Sequence, residues 1–396
     1  MHSTKISSFK MIFAASCLGM LTFGIVMITI GSLLPDIVGK FDLSNVSAGF
    51  LTSILPLGIL LGSLVFGPVA DRYGFKLIFI TCALLVFAGL EGIAFADSLP
   101  MLHLAVFLIG FGGGVLNGGT NALVADVSAE SKGANLSVLG VFYGIGALGM
   151  PALLGILSDF YRVENIVMGV GGAVLLITTY FIYIRFPAPK QPQGFPLKEG
   201  GKLIKSSVLL LGGMTLFCAS GAEGLINNWT TSYLLDYEIA SQQQGLFVLS
   251  LLMVALTVMR MVLGRLLKQT GPFRVMLVLN VVAIIGCGLL YMHNIVAIGV
   301  AIVLIGVGLA ANFPVVLGYV GEVFPKLSGT AFSIVLVMAL TGNMISNFIM
   351  GNVAEKWGTA LLPVMMGVQA VLIITFMLLF KNKFYTASLE KSPVDR

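Results

Sequence analysis

Twelve apolar runs, nearly all of them 20 residues or more, follow one another along this chain of 396 residues. A bilayer core takes about 20 apolar residues per helix, and backbone groups in lipid must find their partners inside the segment. The runs read as spans at 10–34, 45–69, 75–96, 101–125, 134–157, 164–186, 206–234, 243–267, 273–292, 295–320, 327–352 and 360–381. Charged residues make up only 10% of the chain, where a soluble domain carries about a quarter. The expected fold is an all-α polytopic membrane protein with a lipid bilayer as its solvent. The first run lacks a small-residue cleavage site behind a short apolar core, so it reads as a retained helix.

One segment breaks the pattern. Residues 187–205 hold Pro187, Pro189, Pro192 and Pro196 together with Lys190, Lys198, Lys202 and Lys205. Clustered proline with charge marks a linker. It separates residues 1–186, a six-span half, from residues 206–396, a second six-span half with a short tail. With both termini and the linker on the cytoplasmic side, 18 basic residues fall inside and 3 outside. That bias sets orientation, and it accounts for the net charge of +5 without a nucleic-acid partner. Arg260 alone is left within a span. Short loops point to a bacterial inner (plasma) membrane, and a chain that holds two complete halves is expected to act as a monomer.

The halves also repeat. Gly67-Pro-Val-Ala-Asp71-Arg72-Tyr-Gly74-Phe-Lys76 follows the second span, and Gly264-Arg265-Leu-Leu-Lys-Gln-Thr-Gly271-Pro-Phe-Arg274 follows the eighth, 197 residues later. Each has a glycine leaving a helix, a second glycine in a turn, then a basic residue. The first loop resembles the loop signature of the major facilitator superfamily, in which Gly67, Asp71, Arg72, Gly74 and Lys76 all fit. The resemblance implies twelve helices in two six-helix bundles around a central cavity. It also implies a charged latch on the inner side, to which Arg260, Gly264 and Arg265 are assigned in the second half. The second copy lacks the aspartate.

Three further stretches resemble the branch of that superfamily typified by fucose and glucose/galactose permeases. They are Gly221-Ala-Glu-Gly-Leu-Ile-Asn-Asn-Trp229, Asn117-Gly-Gly-Thr-Asn121 and Phe142-Tyr-Gly-Ile-Gly-Ala-Leu-Gly-Met-Pro151. Members of that branch place acidic residues in the first and fourth spans. Here those spans offer Thr22, Thr29, Asn117 and Asn121, which moves ion coupling to Glu223 or Glu91.

Glu223 is the most informative single residue. A carboxylate in a spanning helix costs roughly 2.5–3.5 kcal/mol on insertion scales, and such groups face the bundle interior. It can accept from solute hydroxyls and can carry a proton. Asn227 lies one turn on and shares its face. Amides both donate and accept, which suits hydroxyl-rich solutes, so Asn117, Asn121, Asn227, Asn228, Asn312 and Asn343 join the candidates, with Tyr143 as a cavity hydroxyl and Trp229 as a stacking ring. For each of these the competing role is a helix–helix bond or packing. Asn312 with Pro314 interrupts the tenth span, a feature of transport sites and of plain kinks alike.

Cys17, Cys82, Cys218 and Cys287 each lie in an apolar run without metal-ligand spacing, so neither a disulfide nor a metal site is expected. No nucleotide-binding loop, nucleophile–base pair or cofactor fingerprint appears in a suitable context, so the chain does not read as an enzyme and no cofactor is expected. Uphill movement then draws on H⁺ or Na⁺. The expected function is secondary transport of a small neutral polar solute, a monosaccharide or amino sugar. The alternatives are a drug or metabolite exporter of the same fold and a sugar-binding membrane sensor.

Overall fold

The structure, a computed structural model, describes residues 2–127, 132–187, 206–324 and 328–390. Within these, the side chains of residues 2–8, 67–68, 71–72, 125–126, 132–134, 136–137, 268, 328–330, 333 and 385–390 are not described. The expected linker therefore lies outside the described residues but for its first, Pro187, and Gly67, Asp71 and Arg72 of the expected latch lie outside the described side chains.

Thirteen α-helices make up the described chain, with two short 3-10 turns. They are α1 (His2–Phe41), α2 (Asn45–Tyr73), α3 (Phe75–Ala94), α4 (Leu99–Val127), α5 (Lys132–Leu157), α6 (Val163–Tyr183), α7 (Ser207–Asp236), α8 (Gln242–Thr270), α9 (Pro272–Leu289), α10 (Ile295–Leu309), α11 (Asn312–Val323), α12 (Ser328–Trp357) and α13 (Leu362–Glu390). Among the described residues, twelve segments are long and apolar enough to cross a membrane. The tenth comprises α10 and α11, broken at Ala310 and Ala311. That is where Asn312 and Pro314 predict an interruption. With an even number of spans both chain ends lie on one face, here called the terminal face. The first helix continues past the expected residue 34 to Phe41, carrying Pro35 inside it.

Helices α1 to α6 pack among themselves, chiefly α4 on α2 and α3, α1 on α5 and α3 on α6. Helices α7 to α13 do likewise, with α7 against α12 and α13. The two sets meet along α1–α7, α2–α12 and α5–α8. Local geometry repeats between them. Ser44 caps α2 by accepting from the Ser47 amide. Ser241, 197 residues later, caps α8 in a full capping box with Gln244. Gly74 at φ 76° turns α2 into α3, and Gly271 at φ 80° turns α8 into α9. Only glycine enters that left-handed region without strain, so the glycine spacing in the two loops is a spacing of backbone turns.

Candidate functional site

The site is built on one face of α7. Glu223, Asn227 and Thr231 recur every fourth residue and so share a stripe. Thr231 Oγ1 donates to the Gly31 carbonyl of α1 at 3.1 Å. Gly31 lies so close to the backbone of Asn227 and Asn228 that a side chain at position 31 would run into the Asn227 carbonyl. The stripe therefore faces the other half of the molecule. Glu223 lies one turn nearer the terminal face than the Gly31 contact.

Glu223 lies deep among the helices yet keeps part of its surface accessible. Among the described residues its carboxylate has no hydrogen-bond partner and no direct salt bridge. The sealed side-chain oxygens without partners are those of Asn227, Asn228 and Gln369. Those of Glu223 are not among them and keep some accessible surface. Its electrostatic partners are Arg260 of α8 and Tyr143 of α5.

Packing of α5 on α8 supplies those two side chains. Gly144 sits against Thr257, whose Oγ1 occupies the space a side chain there would need. Tyr143 is next to that contact, 7% exposed, with its ring 5.7 Å from Phe23 of α1. Arg260 is one turn beyond Thr257 on α8 and half-buried. The sequence places Arg260 in the latch or snorkelling near the inner face; the structure puts it on the seam between α5 and α8, one turn from the Thr257–Gly144 contact. Its signal in the sequence was its position, the one basic residue inside an apolar run.

Asn117 and Asn121 lie on the terminal-face half of α4, both half-buried. Asn121 Nδ2 donates to the Asn117 carbonyl at 2.9 Å and to its Oδ1 at 3.2 Å. Thr120 between them donates to the Asn117 carbonyl at 3.2 Å and meets Met20 of α1. The amide pair bonds mainly to itself and keeps accessible surface.

The remaining candidates are engaged elsewhere. Asn347 Oδ1 accepts from Asn228 Nδ2 at 3.0 Å and from Trp229 Nε1 at 3.1 Å. Its Nδ2 donates to the Asn343 carbonyl and Oδ1, both at 2.9 Å, and Asn343 Nδ2 donates to the Ser220 carbonyl at 3.0 Å. All are buried, so this network ties α7 to α12 within the second half. Asn312 is buried and accepts from Asn280 of α9 at 2.8 Å. Glu91 lies against Gly171 of α6, on the far side of α3 from the interface between halves. Of the latch candidates with described side chains, Lys76, Gly264 and Arg265 are exposed, and Gly264 has open space around it.

Sequence reasoning passed over a further set of residues that hold the halves together. Gln242 donates to Asp36 of α1, and Gln243 to the Gly155 carbonyl and to Asp159. Asn45 donates its amide N–H to Glu355 at 2.8 Å and its side chain to the Ala354 carbonyl at 3.1 Å. Ser53 Oγ donates to the Met344 carbonyl at 2.9 Å. Together with Thr231–Gly31, these described hydrogen bonds between halves all lie on the face away from the termini. Midway along the helices Gly144 of α5 packs on Thr257 of α8. The structure is closed on the far face, with Glu223 and Arg260 below the seal.

The family model described as Major Facilitator Superfamily matches residues 13–295 and, separately, residues 214–394. An uncharacterized transporter of Sinorhizobium fredii, y4wD, is 22% identical over 356 residues, covering 90% of this chain and 94% of that one. The multi-drug resistance efflux pump PmrA of Streptococcus pneumoniae is 24% identical over 325 residues, covering 78% and 80%. Among solved structures, a D-xylose-proton symporter superposes with a TM-score of 0.80 over 94% of this chain and 98% of its own, at 15% identity.

Proposed function

The chain belongs to the Major Facilitator Superfamily, and from that premise we propose that this secondary transporter moves a small hydroxyl-rich solute, of monosaccharide size, by alternating access coupled to H⁺. The observation that carries the reading is Glu223: an unbonded carboxyl with accessible oxygens, deep in the bundle and on the seam between the halves. Such a group can take a proton and accept from a solute hydroxyl. Asn117, Asn121 and Tyr143 supply donors and acceptors from the first half. A solute touching both halves ties closure of the cavity to its own presence. The bias of basic residues supports a cytoplasmic terminal face, and the clasped far face is then the one turned away from the cytoplasm. The protein then sits in a bacterial inner membrane as a monomer, since one chain supplies both walls of the site. Na⁺ is the other candidate coupling ion, and Glu223 is the ligand it would use.

Drug efflux is the second reading, favoured by the likeness to an efflux pump along most of the chain. The two separate on uptake into proteoliposomes. Radiolabelled sugars and sugar derivatives accumulating under an imposed pH gradient support the first. Movement of lipophilic dyes with no sugar uptake supports the second and removes the first.

A further inference from the structure

We propose that the solute carries a carboxylate and that Arg260 is the residue that selects it. This rests on the reading of Glu223 as the proton-bearing group of the cavity. Arg260 of α8 lies one turn beyond Thr257, whose Oγ1 packs on Gly144 next to Tyr143 of α5, so Arg260 and Tyr143 share the seam between the halves that Glu223 of α7 also borders.

Arg260 is a fixed cation with donors only. Among the described residues it has no hydrogen-bond partner and no salt bridge. Seven residues of α8 separate it from Leu267 at the end of the apolar span, about 10 Å of helix at 1.5 Å per residue. It is half-buried, one turn beyond the contact of Thr257 with Gly144 of α5.

Charge balance then constrains the solute. With Glu223 ionised and the cavity empty, Glu223 and Arg260 cancel. Protonating Glu223 leaves Arg260 uncompensated when the cavity closes and sheds its water during the transport step, where a lone charge is costly. A neutral sugar does not repair this, and an amino sugar adds a second positive charge. A carboxylate does repair it. The guanidinium fork takes a carboxylate in two parallel bonds, while Tyr143 and the α4 amides meet its hydroxyls. The loaded carrier then holds one proton on Glu223 and one anion on Arg260. Each turn moves both in the same direction, with no net charge transferred. The solute class is a polyhydroxylated monocarboxylate, a sugar acid.

The test uses full-length protein in proteoliposomes under an alkaline-inside pH gradient. The probes are gluconate, glucuronate, glucose and glucosamine, for wild type, Arg260→Gln and Arg260→Lys. The acids are expected to accumulate in preference to glucose and glucosamine, and a valinomycin potential is expected to leave that uptake unchanged. Arg260→Gln is expected to lower acid uptake roughly 30-fold or more, the loss of a desolvated charge partner, with partial return in Arg260→Lys. Should Arg260→Gln fail to fold, as judged by gel filtration, the wild-type preference for gluconate over glucose decides the matter. Glucose accumulation equal to or above that of the acids, or acid uptake driven by the potential, overturns the carboxylate assignment and leaves sugar transport standing. Failure of all four probes, in protein that moves a lipophilic dye, overturns both.

Discussion

Asn45 and Gln242, 197 residues apart, each begin the second helix of their half and each reach across to the other half. Asn45 bonds to Glu355 and Ala354 of α12, and Gln242 bonds to Asp36 of α1. Both follow a serine N-cap, so the capped turn that starts the helix also aims the clasp. The seal of the far face is thus written twice, once by each half.

Weakening the clasp is expected to favour opening on that face. Hydrogen bonds to charged groups contribute about 1.5–3 kcal/mol each. In a double variant, Gln242→Ala removes the bond to Asp36, and Asn45→Ala removes the side-chain bond to the Ala354 carbonyl while its backbone N–H still reaches Glu355. The Gln242 bond alone shifts the balance of conformations by at least about tenfold. The readout is labelling of Thr231→Cys by a membrane-impermeant thiol reagent applied from the face away from the termini. The four native cysteines are buried and give a low background. Labelling is expected to rise in the double variant. Unchanged labelling contradicts the clasp.

Gly31 is expected to tolerate no side chain. In Gly31→Val the added atoms meet the Asn227 carbonyl, and overpacking costs about 1–3 kcal/mol. The strain exists only when the far face is closed, so the variant is held open there. Thr231→Cys labelling goes up and transport goes down, while the melting temperature in detergent changes little. A large fall in melting temperature with unchanged labelling contradicts this.

The buried amide network predicts a different phenotype. Asn347→Leu strands Trp229 Nε1 and Asn228 Nδ2 and removes the tie to Asn343. Unpaired buried groups cost about 1–3 kcal/mol in total here, towards the low end in membrane helices. The melting temperature is expected to fall, with the solute concentration at half-maximal uptake unchanged in the protein that remains folded. A shifted half-maximal concentration would move this network into the binding site.

The α4 amides predict the reverse. Asn117→Ala and Asn121→Ala remove donors and acceptors from half-exposed positions. Each is expected to raise the half-maximal solute concentration about 5- to 30-fold, one or two kcal/mol of hydrogen bonding, with the melting temperature steady. Uptake curves and thermal scans on the same preparations separate this from the Asn347 result.

Hydropathy alone carries the twelve spans, because lipid leaves a helix of sufficient length as the main solution. Backbone requirements are as legible: Gly74 and Gly271 stand where the chain must turn at positive φ, and Asn312 with Pro314 stands where a helix must break. Partners are less so. Helical period puts Glu223 and Asn227 on one face but does not say what that face meets. Asn227 meets Gly31, whereas Asn228 and Trp229, about 100° and 200° round the helix, turn to Asn347 in their own half. The same residue types serve cavity and helix seam, so their roles separate only once the neighbours are placed. Arg260 is the sharpest instance. Its number along α8 fixes a depth, and only the packing of α5 on α8 puts it on the seam between the halves.

The central claim is that Glu223 carries the coupling proton, and the most direct measurement compares two modes of transport in Glu223→Gln. Proteoliposomes are assayed for accumulation driven by a pH gradient and for exchange of labelled against unlabelled solute with no gradient, using whichever probe the wild type accumulates. Glutamine mimics the protonated carboxyl and cannot release a proton. The account predicts that accumulation is lost while exchange persists. Accumulation that survives in Glu223→Gln contradicts it.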